Sequence, residues 1–197
     1  MPSKPIQTIT IFSGSADHLR AAYVQGAWEL GAVLAERGLT LVFGGGKTGL
    51  MGAVADGALA KGGQVVGVIN ESLNTPTLAH AGLSRMEVLP DLHTRKARMS
   101  ALADAYIALP GGLGTFDELF EALTWAQIGL HHKPIGLLNI ERYFDPLLAL
   151  VDHAIAERFI YPEHRQLLIC EEDPHILLEK MQAYHPPENL SRWVERP

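Results

Sequence analysis

Short apolar runs rich in β-branched residues alternate along the chain with longer stretches in which apolar positions recur at helical period. Strands are predicted at 6–12, 41–43, 65–69, 86–89, 105–109, 135–138 and 167–170. Helices are predicted at 16–37, where Gly38 supplies a C-terminal stop, from the GGGKTG run to about Lys61 and Gly62, at 92–102, from Thr115 onward, at 145–157 and at 174–183. This alternation is how a parallel sheet with crossover helices is written into sequence. The expected fold class is therefore α/β: a Rossmann-like three-layer sandwich with a mostly parallel central sheet flanked by helices.

The segment 71–84 carries Asn74, Pro76 and Gly82 and reads as a loop long enough to form a lid. Residues 1–185 are expected to form one nucleotide-binding domain, and 186–197, beginning PPENLSRW, a C-terminal tail. Neither repeats nor a dividing linker interrupt the pattern.

Right-handed crossovers bring all strand C-termini to one edge of such a sheet, where ligands bind. Two glycine runs follow strands and should lie on that edge. In FGGGKTGLMG, the Gly46-Lys47-Thr48 triplet suggests a nucleoside triphosphatase loop, but that pattern needs glycine at position 41, which is Leu41. Gly44, Gly46 and Gly49 do satisfy GxGxxG, with Glu71 placed like a ribose-binding acid. The dinucleotide fingerprint usually follows the first strand, however, and this run follows the second, while SGS at 13–15 follows the first. Phosphate contact and a simple tight turn are equally open here. Gly44 and Gly45 are taken as candidate substrate contacts.

The second run, LPGGLGTFDELFEAL, poses a sharper problem, because acids follow directly on glycines suited to an anion. Thr115 and Glu118 fit a capping box, and Asp117 suits a first helical turn. Glu118, Glu121 and Trp125 share one helix face, which in isolation reads as a solvated stripe. Gly111, Gly112 and Gly114 nevertheless free the amides at a helix N-terminus, a ready anion site. A sugar phosphate reconciles the two: phosphate on the amides, ribose hydroxyls and anomeric carbon facing the acids. DLHTRKARM supplies basic partners in His93, Arg95, Lys96 and Arg98, although such runs are commonly an outer helix face. Arg95 and Lys96 lie about 100° apart, so one of them is expected to look inward. Arg95 is the better choice, because its planar fork matches phosphate oxygens in pairs.

Composition narrows the partners. The 197 residues carry a formal charge of −6, which argues against general binding to nucleic acid or anionic membrane. Cys170 is the only cysteine, so no intrachain disulfide or thiolate metal cluster can form. No apolar run approaches the roughly 20 residues of a membrane helix, and the start is too weakly apolar for a signal peptide. A cytoplasmic setting is expected, with no metal.

PGGLGTFDE resembles the PGGxGTxxE signature of the LONELY GUY (LOG) family, cytokinin riboside 5'-monophosphate phosphoribohydrolases that have often been mislabelled lysine decarboxylases. The resemblance covers most of the chain: FGGGKTGLMG, LHTRKARM, EALTWAQIGLHHKPIGLLN and YFDPLL follow in the right order. It implies an enzyme that hydrolyses the N-glycosidic bond of AMP or an N6-substituted AMP to free base and ribose 5-phosphate, without a cofactor. It further implies Arg95 and Glu118 as the catalytic pair, with Lys96, Gly112, Gly114, Thr115 and Asp117 at nucleotide-binding positions, and a homodimer. Gly111 and Glu121 complete the expected substrate contacts. Leu92 stands where the family usually has methionine, Asp117 where glutamate is commoner, and SGS where many members have CGSS. Two rival readings stay open: a non-catalytic nucleotide or cofactor carrier on the same fold, and a dinucleotide oxidoreductase, supported only by GxGxxG.

Overall fold

The structure is a computed structural model that describes residues 5–188 and residue 190. Its centre is a seven-stranded sheet in the order β4-β3-β2-β1-β5-β6-β7, with every neighbouring pair parallel. The strands are β1 (Thr8–Phe12), β2 (Thr40–Phe43), β3 (Val65–Asn70), β4 (Arg85–Leu89), β5 (Ala105–Ala108), β6 (Ile135–Leu138) and β7 (Leu168–Glu171). Each lies within two residues of its predicted position. The helices are α1 (Ala21–Glu36), α2 (Gly49–Ala60), α3 (Leu92–Leu102), α4 (Leu113–Gln127), α5 (Asp145–Ala156) and α6 (Pro174–Gln182).

The period-two alternation of the strands sorts side chains into two cores. Ile9 and Ile11 of β1 join Leu30 and Leu34 of α1, Val54 of α2 and Leu177 of α6 on one face. Phe12 of the same strand joins Met99 of α3, Leu119 of α4 and Val151 of α5 on the other. Two helical layers enclose the sheet, and burying each such aliphatic or aromatic side chain contributes about 1.5–3 kcal/mol. The sheet is covered on both faces, as parallel sheets require. Edge strand β4 is the least buried, and its Arg85 and Glu87 keep that edge polar. Leu190 is buried in the second core, so the expected tail is anchored there; residues 189 and 191–197 lie outside the described part of the chain.

The chain runs from β1 through β4 to one side, then returns with β5 on the other flank of β1. The direction of winding therefore reverses between β1 and β5, and a crevice opens beyond their C-terminal ends. Three local departures from expectation shape that crevice.

First, α1 begins at Ala21 rather than near position 16. His18 is left-handed at φ 58°, and the Ser15 carbonyl accepts a hydrogen bond from Thr48 Oγ1 at 2.8 Å. Residues 13–20 thus serve the crevice wall instead of the helix.

Second, α4 begins at Leu113 with Gly112 at its cap, and no capping box forms. The first helical bond runs from the Phe116 N–H to the Gly112 carbonyl at 3.0 Å. Thr115 is consequently inside the helix and 3% exposed. Glu118 lies too far along the helix to reach back to its start.

Third, segment 71–84 opens with a short 3-10 turn, Glu71–Leu73, and is fastened across the first glycine run. The Lys47 N–H donates to the Leu78 carbonyl at 2.8 Å and the His80 N–H to the Gly45 carbonyl at 2.9 Å, while Lys47 Nζ donates to the Pro76 carbonyl at 2.6 Å. The segment forms a fixed wall of the crevice in this structure.

Candidate active site

Beyond β1 and β5 lies a cleft of about 770 Å³. Its floor is built where the two strand-to-helix loops touch: the Gly14 N–H donates to the Pro110 carbonyl at 3.1 Å. A Cβ on Gly111 would stand 2.1 Å from Thr115 Oγ1 and 2.8 Å from the Gly14 nitrogen, so only glycine lets the loops close together there. With Gly112 as cap and no side-chain cap, the leading amides of α4 are left for a ligand, and the helix dipole favours an anion at that end.

Asp91 caps α3 by accepting from the His93 and Thr94 N–H groups at 2.8 and 2.9 Å, which sets the rotation of the basic run. Both Arg95 and Lys96 face inward, where only one was expected; the side chains are 12% and 14% exposed. The reason is that two different partners flank α3. Arg95 reaches toward the sheet edge, donating from Nε to the Val68 carbonyl at 2.9 Å, and its Nη2 meets Glu118 Oε1 at 3.2 Å. Lys96 reaches toward α4, with Nζ 2.9 Å from Asp117 Oδ2 and 3.1 Å from Glu121 Oε2. Arg98 turns away to a two-pronged pair with Glu87 of β4 at 2.6 and 3.1 Å.

Glu118 is the electrostatic centre. Burial pushes its carboxyl up to about 7, Arg95 opposes that, Asp117 and Glu121 add to it, and Lys96 opposes it in turn. For Lys96 burial disfavours the charge, but hydrogen bonds to Asp117 and Glu121 outweigh it and leave the ammonium more basic than usual. The site thus holds a carboxyl poised near neutrality and a cation kept charged. A perturbed acid of this sort in a cleft is a mark of catalytic sites.

Gly44, Arg95, Lys96, Gly111, Gly112, Gly114, Thr115, Asp117 and Glu118 all line the cleft. Two expected contacts do not. Gly45 is left-handed at φ 75° and turned toward Met86 and Ile69, because the wall segment takes its carbonyl. Glu121 faces a smaller niche behind Glu118, shared with Tyr106, Ser100 and Trp125; the acidic face is half-buried there, not solvated. Gly44 has a role that spacing did not suggest. A Cβ on it would lie 2.3 Å from Arg95 Nη2, so its bare Cα makes room for the guanidinium. Lys47 and Thr48 are engaged in internal hydrogen bonds, and the first glycine run forms a tight turn that makes room for Arg95 while Gly44, Gly46 and Thr48 line the cleft.

Among the cleft residues not expected from the sequence, Ser13, Leu78 and Tyr143 stand out. Ser13 ends the chain of β1 side chains toward the cleft, is 6% exposed, and its hydroxyl has no hydrogen-bond partner among the described residues. Leu78 comes from the wall segment, and Tyr143 from a turn before α5. The SGS run, the 71–84 loop and the YFDPLL motif contain these three, but nothing in them showed a side chain turned to the cleft. No cluster of three potential metal ligands occurs among the described residues, and no helix there is long and apolar enough to cross a membrane.

The fold and the buried Arg–Glu pair define a Rossmann-like protein with an acid set near a helix N-terminus that carries no side-chain cap. Comparison with known proteins gives the family. A family model described as "possible lysine decarboxylase" matches residues 51–181. A rice protein named probable cytokinin riboside 5'-monophosphate phosphoribohydrolase is 46% identical over 176 residues, covering 89% of this chain and 79% of its own. A Rhodococcoides fascians protein named cytokinin riboside 5'-monophosphate phosphoribohydrolase is 46% identical over 168 residues, 84% of this chain and 85% of that one. Among solved structures, the molybdenum cofactor binding protein of Rippkaea orientalis superposes with a TM-score of 0.69 at 24% identity, covering 90% of this chain and 96% of that one, a likeness of fold. The chain belongs to the LONELY GUY family, to which the lysine decarboxylase label has been attached.

Proposed function

We propose that this protein hydrolyses the N-glycosidic bond of a purine nucleoside 5'-monophosphate, releasing free base and ribose 5-phosphate, and that the base is N6-modified, of cytokinin type. The observation that carries this reading is the Arg95–Glu118 pair, at 3.2 Å and almost wholly buried, set in one cleft with the amide-rich start of α4. The relatives' names point to the same reaction.

Cleavage of the C1′–N9 bond leaves positive charge on the ribose ring as the electron pair departs with the base. A carboxylate near C1′ stabilises that charge and draws a proton from the water whose oxygen bonds to C1′. Glu118 takes this role: with a pKa of about 7, it can both ionise and accept a proton at neutral pH. The departing base gains a proton in exchange. Arg95 fixes the carboxylate through Nη2 while its Nε is tied to the sheet. The phosphate lies on Gly112, Gly114 and Thr115 of the α4 N-terminus, with Lys96 close by to offset Asp117.

We further place the protein in the cytoplasm as a homodimer, without nucleic-acid or membrane partners. The acidic balance supports the lack of nucleic-acid and anionic-membrane partners, and the exposed apolar Leu92 of α3 and Leu113 and Phe120 of α4 offer an apolar face to a second copy.

The test is Glu118→Gln assayed with AMP and with its N6-isopentenyl form. Ribose 5-phosphate release should fall by about three orders of magnitude or more, as for loss of a principal charge-stabilising group, while nucleotide binding stays measurable. Unchanged turnover rejects the assignment. If the wild-type protein binds nucleotide but yields no free base on prolonged incubation, the carrier reading replaces this one.

A further inference from the structure

The carbonyl of Gly111 accepts a hydrogen bond from the Tyr143 hydroxyl, which arrives from a turn 32 residues further along the chain. That turn is costly to build. Glu141 and Arg142, neither of them glycine, are both left-handed, at φ 54° and 59°. Two such residues in succession persist only where their surroundings over-determine them.

Here they do. Buried Asn139 accepts the Phe144 N–H on Oδ1 at 2.7 Å and donates from Nδ2 to Asp145 Oδ1 at 2.9 Å. Its own N–H goes to the Glu171 carbonyl at 2.8 Å, and Arg142 Nε donates to Asp145 Oδ2 at 2.7 Å. The Tyr143 ring is then held edge-on between Tyr23, with centroids 6.1 Å apart, and Phe144, at 5.1 Å. A strained and heavily braced turn therefore delivers one hydroxyl to one backbone oxygen in the cleft wall.

The recipient matters. Gly111 is pressed against Thr115 and Gly14 and can carry no side chain of its own. In a trans peptide the C=O and the following N–H point in opposite directions. Fixing the Gly111 carbonyl on Tyr143 consequently fixes the direction of the Gly112 N–H, the first amide of the cup.

We propose that Tyr143 is a positioning residue for the anion cup, holding the Gly111–Gly112 peptide in the orientation that lets the start of α4 grip the substrate's 5'-phosphate. The inference rests on the reading of the cleft as a site for nucleoside 5'-monophosphates. It assigns phosphate affinity partly to a strained turn outside both glycine runs.

Tyr143→Phe keeps the ring contacts and removes only the hydroxyl. Calorimetric titration with ribose 5-phosphate and with ribose needs no turnover. The variant should bind ribose 5-phosphate about tenfold more weakly than wild type and lose most of the preference for ribose 5-phosphate over ribose. KM for AMP should rise by a similar factor with kcat within about threefold, and the melting midpoint should move by no more than a few degrees. If wild type prefers ribose 5-phosphate and the variant keeps that preference undiminished, this inference fails and the proposed function stands. If the variant loses kcat and melting temperature together with no change in that preference, Tyr143 merely braces the fold. If wild type shows no preference for ribose 5-phosphate, both readings fall.

Discussion

The Arg95 guanidinium stands 3.2 Å from the Glu118 carboxylate, with nearly nine-tenths of each side chain withdrawn from solvent. Removing both charges from water weakens the pair as a source of stability. Its value lies in the acid: Arg95 restrains a carboxyl that burial would otherwise push still further from ionising.

That balance predicts a pH profile. If ionised Glu118 is the working form, kcat/KM should rise with pH through an ascending limb centred near 7, where its carboxyl titrates in the free enzyme. A limb centred near the ordinary glutamate value would contradict the assignment.

The same shift makes a stability prediction with a definite sign. Folding raises this pKa from 4.5 to about 7, so the folded state binds the proton more tightly than the unfolded one. Its contribution is fully present below 4.5, is lost as pH rises through 7, and amounts to something on the order of 3 kcal/mol. Glu118→Gln cannot titrate, so its melting temperature relative to wild type should climb steadily between pH 5 and pH 8. A constant difference across that range would show that residue 118 titrates normally.

Lys96 is the local counterweight to three acids. Lys96→Gln removes the cation that opposes protonation of Glu118 and leaves Asp117 and Glu121 unneutralised beside it. The ascending limb of kcat/KM should move to higher pH, and activity should be lost more at pH 6.5 than at pH 9. A uniform loss at every pH would assign Lys96 to substrate binding alone.

Gly44→Ala tests how Arg95 is seated. The added methyl would fall 2.3 Å from Nη2 and displace the guanidinium. A misplacement of about 1 Å at a catalytic group can cost on the order of 100-fold, and kcat/KM should fall by that much while the protein stays folded. Full activity in this variant would mean that Arg95 need not sit where it does.

Much of the fold was legible because the inner strands are short buried runs and, β3 to β4 apart, each crossover contains a periodic helix. What escaped was set by contacts between distant segments. Nothing local to Thr115 shows that Gly112 takes the helix cap; that follows from Thr115 packing against Gly111 and from the loop pressed beside Gly14. Arg95 and Glu118 were nameable from their motifs, whereas the inward turn of Lys96 depends on two carboxylates of α4. The part Gly44 plays in seating Arg95 was not legible, because glycine spacing does not reveal which atom needs the space. Tyr143 opens the YFDPLL motif, but its part in the cleft was not legible, since it lies in a single hydroxyl crossing from another turn.

The most direct test is a crystal structure of Glu118→Gln with AMP bound. The account predicts the phosphate on the backbone amides that open α4, with C1′ of the ribose within about 4 Å of the residue 118 side chain, the contact range of neighbouring groups. A nucleotide bound with its sugar on the far side of the β1–β5 crevice from residue 118, or with its phosphate away from α4, would contradict it.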